Sequence, residues 1–498
     1  MITTIHIIGI LLTIGILLVV SIASGRKIKN AKDFTTGGNA NSWMVCGAIL
    51  GTLVGGQSTI GTAQLAFSFG ISAWWFTLGA ALGALALALF YAKPIRNSGC
   101  NTLLEIVSKE YGRKAETIGS MLFLIGIFIS IMSQVLSSSA LVTSLFHLPI
   151  IVAAIISALL IMLFVLFGGI RSAGAGGIIK LVLLYISSLA AGIIVWKIGK
   201  GLIGINESIS SIYTNPTLAE LNNLTDAESI HQRYGNMVAR GPLKDIGGCL
   251  SLMLGVVTTQ TYAQGIWSGA TTAKAKKGGI YCAMLIPIIG AACTLVGMYM
   301  RGHYITAGEL SALQAAGERI PEGVGVIESS LQAFPAFVLN YMPDWLGGIA
   351  LGAMIVNILG CGSGLSLGAA TILVRDIYPS LSTISKSKHH NISQLILTRF
   401  SIVGILSLAV IIALLVKGTF INDLGFLSLG LRAVALLWPL SLALFMPGKI
   451  QARCIVPAMI VGTGTMLLAK FLSLPADPVY YGLGTSLLVI LIANHIKR

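Results

Sequence analysis

Long apolar stretches recur along the whole chain and are separated by shorter polar segments. A run of about 20 apolar residues is long enough for a helix to cross the hydrocarbon core of a bilayer. About 13 such runs are present and predict membrane-spanning helices. They lie near residues 2–24, 42–70, 72–92, 116–146, 149–169, 173–196, 245–271, 278–300, 346–372, 394–416, 422–446, 454–473 and 478–495. The expected fold class is therefore an all-α membrane protein.

Two of these runs contain a stretch that is unsuited to a helix. Residues 51–61 are rich in glycine, and residues 255–265 combine glycine with hydroxyl and amide side chains. Glycine loosens a helix, and loosened backbone within a membrane is tolerated only where it is buried in protein or lines a wet cavity. Two broken helices in matching halves are typical of secondary transporters with a binding site near the middle of the membrane.

Composition excludes a water-soluble globular protein, because 55% of the 498 residues are hydrophobic, only 10% are charged and the mean hydropathy is +0.89. The net charge of +15 does not indicate a nucleic-acid partner, since the basic residues lie in short loops between apolar runs. The loops fall into two alternating sets. The set that follows the first run, together with the C-terminus, holds about 20 Lys or Arg residues, and the other set holds about nine. Because positively charged loops stay on the cytoplasmic side, we expect an external N-terminus and a cytoplasmic C-terminus in the cell membrane. The seven cysteines show no metal-binding spacing, so we expect them to pack in the interior.

The order of the runs predicts how the chain is organised. If the second to sixth and seventh to eleventh runs form two halves, the odd number of spans in each inverts the second half relative to the first. We therefore expect an N-terminal extra helix and cytoplasmic loop in residues 1–41 and a first five-helix repeat in 42–200. An external loop in 201–244, a second repeat in 245–446 with an external loop at 301–345, and two extra helices in 447–498 complete the prediction.

Several short segments, taken in order, resemble the sodium:solute symporter family. They are Gly55 to Gly61, Gly70 to Trp75, Leu78 with Gly79, Thr102 to Ile106, and Arg375 to Tyr378. The resemblance implies a LeuT-type fold with ten core helices, one helix before them and two after. It also implies sodium-driven uptake of a small solute.

The same resemblance indicates where a sodium ion would bind. The family combines carbonyl groups of the broken second span with hydroxyl groups on the ninth span, and the corresponding positions here are Gly51, Val54, Asn357, Gly360 and Cys361. A glycine has no hydroxyl, and a thiol is a poor ligand for a hard cation. The possible Na⁺ site is therefore degraded, and coupling to sodium, to protons or to no ion stays open.

Two basic residues within the apolar runs are candidates for function. Lys180 lies about four residues from the middle of its run, where an ammonium is costly and usually functional. Its amine either takes the place of the sodium ion or reaches the membrane surface along its own stem. Arg432 could bind a carboxylate or sulfonate through two hydrogen bonds; alternatively it pairs with a helix C-terminus or faces an outer vestibule.

The polar residues at the two breaks are the best candidates for contacts with the solute. They are Gln57, Ser58 and Thr59 at the first break and Thr259, Gln260, Tyr262 and Gln264 at the second. The alternative is that they only satisfy unwound backbone. The pattern favours a secondary active transporter for a small organic anion or zwitterion, working by alternating access. It offers no arrangement typical of an enzyme, and a channel or a solute sensor is the alternative class. The oligomeric state is not indicated.

Overall fold

The computed structural model describes residues 2–25, 40–168, 176–374, 394–415 and 419–495. Helices account for most of these residues, as the apolar runs predict. A helix satisfies its backbone N–H and C=O groups internally, which a chain crossing hydrocarbon requires. Large apolar side chains are exposed on many of the helices, for example Ile151, Phe400 and Leu415 at 56%, 71% and 76%. Such exposure suits contact with lipid and not with water.

The first part of the chain consists of helices joined by short connections. They are α1 (Thr4–Gly25), α2 (Ser42–Leu53), α3 (Thr62–Phe69), α4 (Trp75–Ala86), α5 (Ala92–Asn97), α6 (Leu103–Tyr111), α7 (Arg113–Phe146), α8 (Ile150–Gly168) and α9 (Gly176–Ile198). Wider π-helical turns at Gln57–Gly61 and Leu87–Tyr91 and a 3₁₀ turn at Gly70–Trp74 connect α2 to α5.

Two segments between the long helices pack on one another, and we call residues 199–241 and 302–341 the cap. Its elements are α10 (Gly201–Ile212), α11 (Pro216–Asn222), α12 (Ala227–Tyr234), β1 (Tyr304–Thr306), α16 (Ala307–Ala315), β2 (Gly325–Ile327) and α17 (Ala333–Tyr341). Strands β1 and β2 are parallel, with Ile305 opposite Val326. The cap thus covers the end of the helices at which residues 199 and 341 lie.

The remaining helices follow in the second part of the chain. They are α13 (Pro242–Thr258), α14 (Gln260–Ser268), α15 (Thr272–Arg301), α18 (Asp344–Ile372), α19 (Gln394–Leu415), α20 (Ile421–Phe445), α21 (Ala452–Phe471) and α22 (Pro478–His495). The chain interleaves in space, since α7 packs against both α18 and α20, and α13 packs against both α4 and α20. The interior of the bundle therefore lies between elements that are far apart in sequence.

The long apolar helices are the candidate membrane spans. Eight helices of the described residues are long and apolar enough to cross a membrane, or nine if α13 and α14 count as one bent span. Helix occupies the described part of each apolar run, but several of these helices are short or interrupted. A multi-pass membrane protein is confirmed, whereas about 13 spans and the division into two five-helix repeats stay predictions.

The first predicted break is present in the structure. Helix α2 ends at Leu53, Val54 is extended at φ −89° and ψ 100°, and the helix resumes only at Gln57. Gly56 explains why the backbone can pass so close to α7, because a Cβ atom there would lie 2.4 Å from the Cβ of Ser137. A side chain at this position would clash with a fully packed helix.

The second predicted break is also present. Helix α13 ends at Thr258, Thr259 is extended at φ −91° and ψ 123°, and the helix axis turns by 51° before α14 begins. The hydroxyl of Thr259 donates to the Gly255 carbonyl at 2.7 Å, and that of Thr258 donates to the Leu254 carbonyl at 3.0 Å. Neighbouring hydroxyls therefore satisfy the carbonyls next to the break.

A buried ion pair attaches the cap to the membrane helices. Arg301, which is 2% exposed, donates to both carboxylate oxygens of Glu309 at 2.9 and 2.8 Å and to the hydroxyl of Tyr213 at 2.7 Å. Burial by itself would raise the pKa of Glu309, but Arg301 and hydrogen bonds from Thr306 and Asn222 lower that pKa below its ordinary value. Glu309 is therefore ionised and locks the cap to the end of α15.

Candidate functional site

A small cavity lies between the two breaks. Its walls include Thr52, Leu53 and Gln57 of the first broken span, Leu252 and Tyr262 of the second, and Arg432 of α20. The cavity measures about 20 Å³, which is enough for a water molecule and far too little for an organic solute. The two interruptions thus enclose one polar space, in a conformation that is nearly closed.

Arg432 is the charged group of this cavity, and its side chain is 2% exposed. Its Nη2 atom donates to the Ser130 hydroxyl at 2.6 Å and to the Ser428 hydroxyl at 2.8 Å, while Nη1 lies 3.5 Å from the hydroxyl of Thr259. The guanidinium stacks over the ring of Phe123 at 5.5 Å. Helices α7 and α20 and the second break therefore hold one orientation of this side chain.

The electrostatic situation of Arg432 is unusual. The ion pairs among the described residues join Arg240 to Asp245 and Asp423 and Arg301 to Glu309, and none of them includes Arg432. Its Nε atom is buried without a hydrogen-bond partner. Buried charges in proteins are normally paired, because leaving water costs several kcal/mol per ion. Among the described residues, no carboxylate balances the charge of this guanidinium, and its Nε atom has no acceptor.

The first break contributes amide and hydroxyl groups. Gln57 donates through Nε2 to the Ser133 hydroxyl at 2.6 Å, and its side chain lines the cavity. Ser58 donates to the Leu53 carbonyl at 3.4 Å and Thr59 donates to the Gly55 carbonyl at 3.2 Å. Gln57 is therefore placed to contact a solute, while Ser58 and Thr59 satisfy the unwound backbone in this conformation.

The second break contributes fewer groups than its sequence suggests. Tyr262 is buried and lines the cavity. Gln260 points to the start of α6, where its Oε1 accepts from the backbone N–H of Leu103 at 2.8 Å and its Nε2 donates to the Asn101 carbonyl at 3.3 Å. Gln264 lies half-buried on α14. The structure thus brings Thr259 and Tyr262 to Arg432 and engages Gln260 elsewhere.

The positions of the expected sodium site do come together around the thiol of Cys361. Its Sγ atom lies 3.7 Å from the Gly51 carbonyl, 3.9 Å from that of Thr52 and 3.8 Å from that of Val54. Sodium is a hard cation that prefers oxygen ligands. The five positions offer carbonyl groups and a thiol but no hydroxyl or carboxylate. They are therefore a poor fit for a sodium ion.

The other two positions of that set lie on the same helix as Cys361. Asn357 is 1% exposed, and both ends of its amide lack a hydrogen-bond partner. The carbonyl of Gly360 accepts from the hydroxyl of Ser363 at 2.9 Å. No group of three or more His, Cys, Asp or Glu residues in the described ranges could hold a metal ion.

Comparison with known proteins assigns the chain. The model of the sodium:solute symporter family matches residues 34–462. The chain belongs to this family. An uncharacterized symporter of Bacillus subtilis (strain 168), YwcA, is 22% identical over 427 residues, or 85% of this chain and 77% of that protein. High-affinity choline transporter 1 of Torpedo marmorata is 23% identical over 399 residues, or 75% of this chain but 62% of the transporter.

A solved structure supports the fold of this symporter. The substrate-bound, outward-open state of a Na⁺-coupled sialic acid symporter aligns over 100% of this chain and 98% of that one, with a TM-score of 0.68 at 17% identity. At that identity the similarity shows the fold, which is of the LeuT type. The family is one of symporters, and this structural neighbour is itself a symporter.

The symporter is closed on both sides of its cavity. On the cap side, Oε1 of Gln64 accepts from the backbone N–H of Ile421 at 2.9 Å, which joins α3 to the start of α20. On the opposite side, Nη1 of Arg96 donates to the carbonyls of Ile266 and Trp267, both at 3.0 Å, and so joins the α5 end to α14. Each connection thus holds one half of a broken span to a neighbouring segment on one side of the cavity.

A polar face on α7 completes the site, and it was missed in the sequence analysis. Ser130, Ser133, Gln134 and Ser137 are all buried and face the cavity or the first break. Gln134 accepts from the backbone N–H of Gly56 at 3.3 Å. Their spacing of three and four residues places them on one helix face, so the signal was present as polar residues recurring inside an apolar run.

Lys180 lies in α9, but its side chain falls outside the described residues. Its role as a replacement for a coupling cation therefore stays a hypothesis, and so does its alternative role at the membrane surface.

Proposed function

We propose that this protein is a secondary active transporter that moves a small organic anion or zwitterion across the cytoplasmic membrane by alternating access. The observation that carries the proposal is Arg432, a buried guanidinium beside a cavity formed by both helix breaks. The family supports symport in general, while the nature of the solute and of the coupling ion rests on the residues of this chain.

The charge of Arg432 favours a solute with a carboxylate. Its present partners are the hydroxyls of Ser130, Ser428 and Thr259 and the carbonyl of Gly126, all neutral groups that orient the guanidinium without neutralising it. A carboxylate would supply the missing negative charge and accept charge-assisted hydrogen bonds, which are about twice as strong as neutral ones. Gln57, Gln134 and Tyr262 offer further polar groups around the same space.

Alternating access would follow from the two connections that close the cavity. Release of Gln64 from the start of α20 opens the cap side, and release of Arg96 from α14 opens the opposite side. The extended residues Val54 and Thr259 are the points at which each half-helix can turn. If the predicted topology holds, with the N-terminus outside and the C-terminus in the cytoplasm, the cap faces the exterior.

Sodium symport is the expectation from the family, but we propose that coupling differs here. The thiol of Cys361 lies among the carbonyl groups at the expected ion position, so that position lacks the hydroxyl ligands of a sodium site. The alternative is a proton-coupled or ion-independent transporter or exchanger in which Lys180 takes the place of the cation. Burial lowers the pKa of a lysine in general, which would allow it to exchange protons.

Transport by reconstituted protein tests the proposal. Uptake and counterflow of labelled organic acids and amino acids are measured in proteoliposomes, with sodium or choline as the external cation and with or without a pH gradient. Saturable uptake of an acid, without single-channel conductance, is expected. Arg432→Gln should abolish it, whereas Arg319→Gln, at an exposed arginine of the cap, should not. Conductance, or binding without movement, would instead assign a channel or a sensor.

A further inference from the structure

A second, larger cavity lies apart from the solute site. It measures about 290 Å³ and is formed on the cap side where α13, α20, α21 and α22 end or begin. This volume is close to the lower limit for sites that bind small molecules. None of the lining residues also lines the cavity at Arg432, so the two spaces are distinct.

The inner wall of this cavity carries more negative than positive charge. Arg240 donates to Asp245 and to Asp423, each at 2.7 Å. One positive guanidinium is thus shared by two negative carboxylates. Asp477, which is 8% exposed, adds a third carboxylate. Burial raises the pKa of Asp477, hydrogen bonds and Arg240 oppose this, and the nearby Asp423 raises it further. With all four groups ionised, the three carboxylates and one guanidinium carry a net charge of −2, and one added cation would reduce it to −1.

Asp477 already accepts hydrogen bonds within the protein, but these bonds do not neutralise its charge. Its Oδ1 atom accepts from the backbone N–H of Val479 at 3.0 Å, at the start of α22, and from the hydroxyl of Ser251 at 3.3 Å. Both donors are neutral. A cationic ligand would therefore gain charge-assisted hydrogen bonds without displacing a salt bridge of Asp477.

The mouth of the cavity has the opposite charge and an apolar surround. Lys244 and Lys470 line the cavity and are exposed. Around them Leu243, Phe471 and Leu472 are 58%, 85% and 64% exposed. In a chain that crosses a bilayer, such a rim lies at the boundary between acyl chains and headgroups, where lysine side chains reach the phosphates.

We propose that this cavity binds the headgroup of a zwitterionic phospholipid with a primary amine, such as phosphatidylethanolamine. The ammonium enters the cavity and donates to Asp477 and Asp423, the phosphate stays at the mouth between Lys244 and Lys470, and the acyl chains lie on the apolar rim. The order of charges from the cavity to the membrane matches the order along the lipid, from amine to phosphate to hydrocarbon.

The chemistry of the cavity distinguishes an ethanolamine headgroup from choline. A primary ammonium has three N–H donors, whereas a quaternary ammonium has none and is recognised by aromatic faces. Phe426 is the aromatic residue of this lining, and Arg240 already stacks on it at 5.4 Å. Carboxylates without a free aromatic face therefore select the primary amine.

A lipid here would act on the conformational cycle and not on the solute. Asp477 packs against Gly247 of α13 so closely that a Cβ atom on that glycine would lie 2.2 Å from the Asp477 Cβ. Helix α13 is the first half of the second broken span, while α21 and α22 lie beyond the breaks in sequence. A bound headgroup would fasten α13 to α20, α21 and α22 and stabilise this closed arrangement, whatever the transported solute is.

Binding of short-chain lipids to detergent-solubilised protein tests the proposal, with the thermal unfolding midpoint and native mass spectrometry as readouts. Phosphatidylethanolamine should bind at least about tenfold more tightly than phosphatidylcholine of the same chain length. The Asp477→Asn variant should lose this discrimination, and the Lys244→Gln/Lys470→Gln variant should bind both lipids more weakly. Glu228→Gln and Lys277→Gln, which lie outside the cavity, are the matched controls and should behave as wild type.

The exposed lysines keep the test decisive even if Asp477→Asn fails to fold, because Lys244 and Lys470 contribute little to packing. Equal affinity of the wild type for the two lipids would overturn the proposal. So would an unchanged affinity for phosphatidylethanolamine in the double lysine variant. The last measurement uses soluble glycerophosphoethanolamine, which has the headgroup without acyl chains. If it binds as tightly as the lipid, the cavity recognises the headgroup chemistry, but the proposal that a membrane lipid supplies it is refuted.

Discussion

Replacing Arg432 by glutamine is the most informative perturbation, because its structural and functional consequences have opposite signs. In the closed protein the guanidinium is 2% exposed and is bonded to neutral hydroxyls and a backbone carbonyl. A buried charge without a counter-ion is costly. Glutamine removes that charge and can keep one hydrogen bond to Ser130 or Ser428. We therefore expect the unliganded protein to be as stable as wild type, or more stable.

The effect on solute binding should be large. Truncating one partner of a buried, hydrogen-bonded charge pair costs about 2–5 kcal/mol. With about 1.4 kcal/mol for each factor of ten, the affinity for the anionic solute should fall by about 30-fold to several thousand-fold. Arg432→Lys should recover only part of this loss, because an ammonium cannot reproduce the planar set of donors that Ser130 and Ser428 orient.

The assay combines counterflow in proteoliposomes with thermal unfolding of the same preparations. Arg319→Gln controls for the removal of an arginine elsewhere. Wild-type affinity in Arg432→Gln together with a clear fall in the unfolding midpoint would refute the reasoning, since it would show that Arg432 stabilises the fold and does not bind the solute.

Three further predictions concern the break, the coupling position and the cap. Gly56→Ala should destabilise the fold by about 1–3 kcal/mol and reduce uptake, because its Cβ would meet Ser137 at 2.4 Å. A second substitution, Ser137→Gly, should restore part of the loss. If Gly56→Ala changes neither the unfolding midpoint nor uptake, the packing described at this break is wrong. Cys361→Ser should make uptake more dependent on sodium, because a hydroxyl is a harder ligand among the carbonyls than a thiol; identical sodium titrations of variant and wild type would disprove this. Glu309→Gln should destabilise the protein by about 3–5 kcal/mol by leaving Arg301 buried and unpaired. Because the pKa of Glu309 is lowered on folding, the ion pair contributes full stability above the ordinary pKa, and that contribution is lost as the pH falls through the lowered pKa; unfolding midpoints against pH should show this acid-side loss in wild type and not in the variant.

The sequence alone determined the features that depend on local composition. Apolar runs decide that the chain enters a bilayer, because the transfer energy adds up residue by residue. Glycines and hydroxyl residues decide where a helix loosens, and the structure has breaks after Leu53 and Thr258, within the two stretches that the pattern singled out. A cation in the middle of an apolar run is also visible without a structure, as Arg432 shows.

Only the tertiary structure decided which groups meet. The hydroxyls that hold Arg432 come from α7 and from the second break as well as from its own helix, and no local pattern states that Ser130 faces position 432. The same limit explains Gln260, which lies at the second break in sequence yet caps α6 in space. Cys361 reaches the carbonyls of Gly51 and Val54 across some three hundred residues. The hydrogen-bond partners of a buried polar group depend on how distant helices pack. Each helix presents several faces, and only the assembly of the helices decides which polar groups on those faces meet a partner.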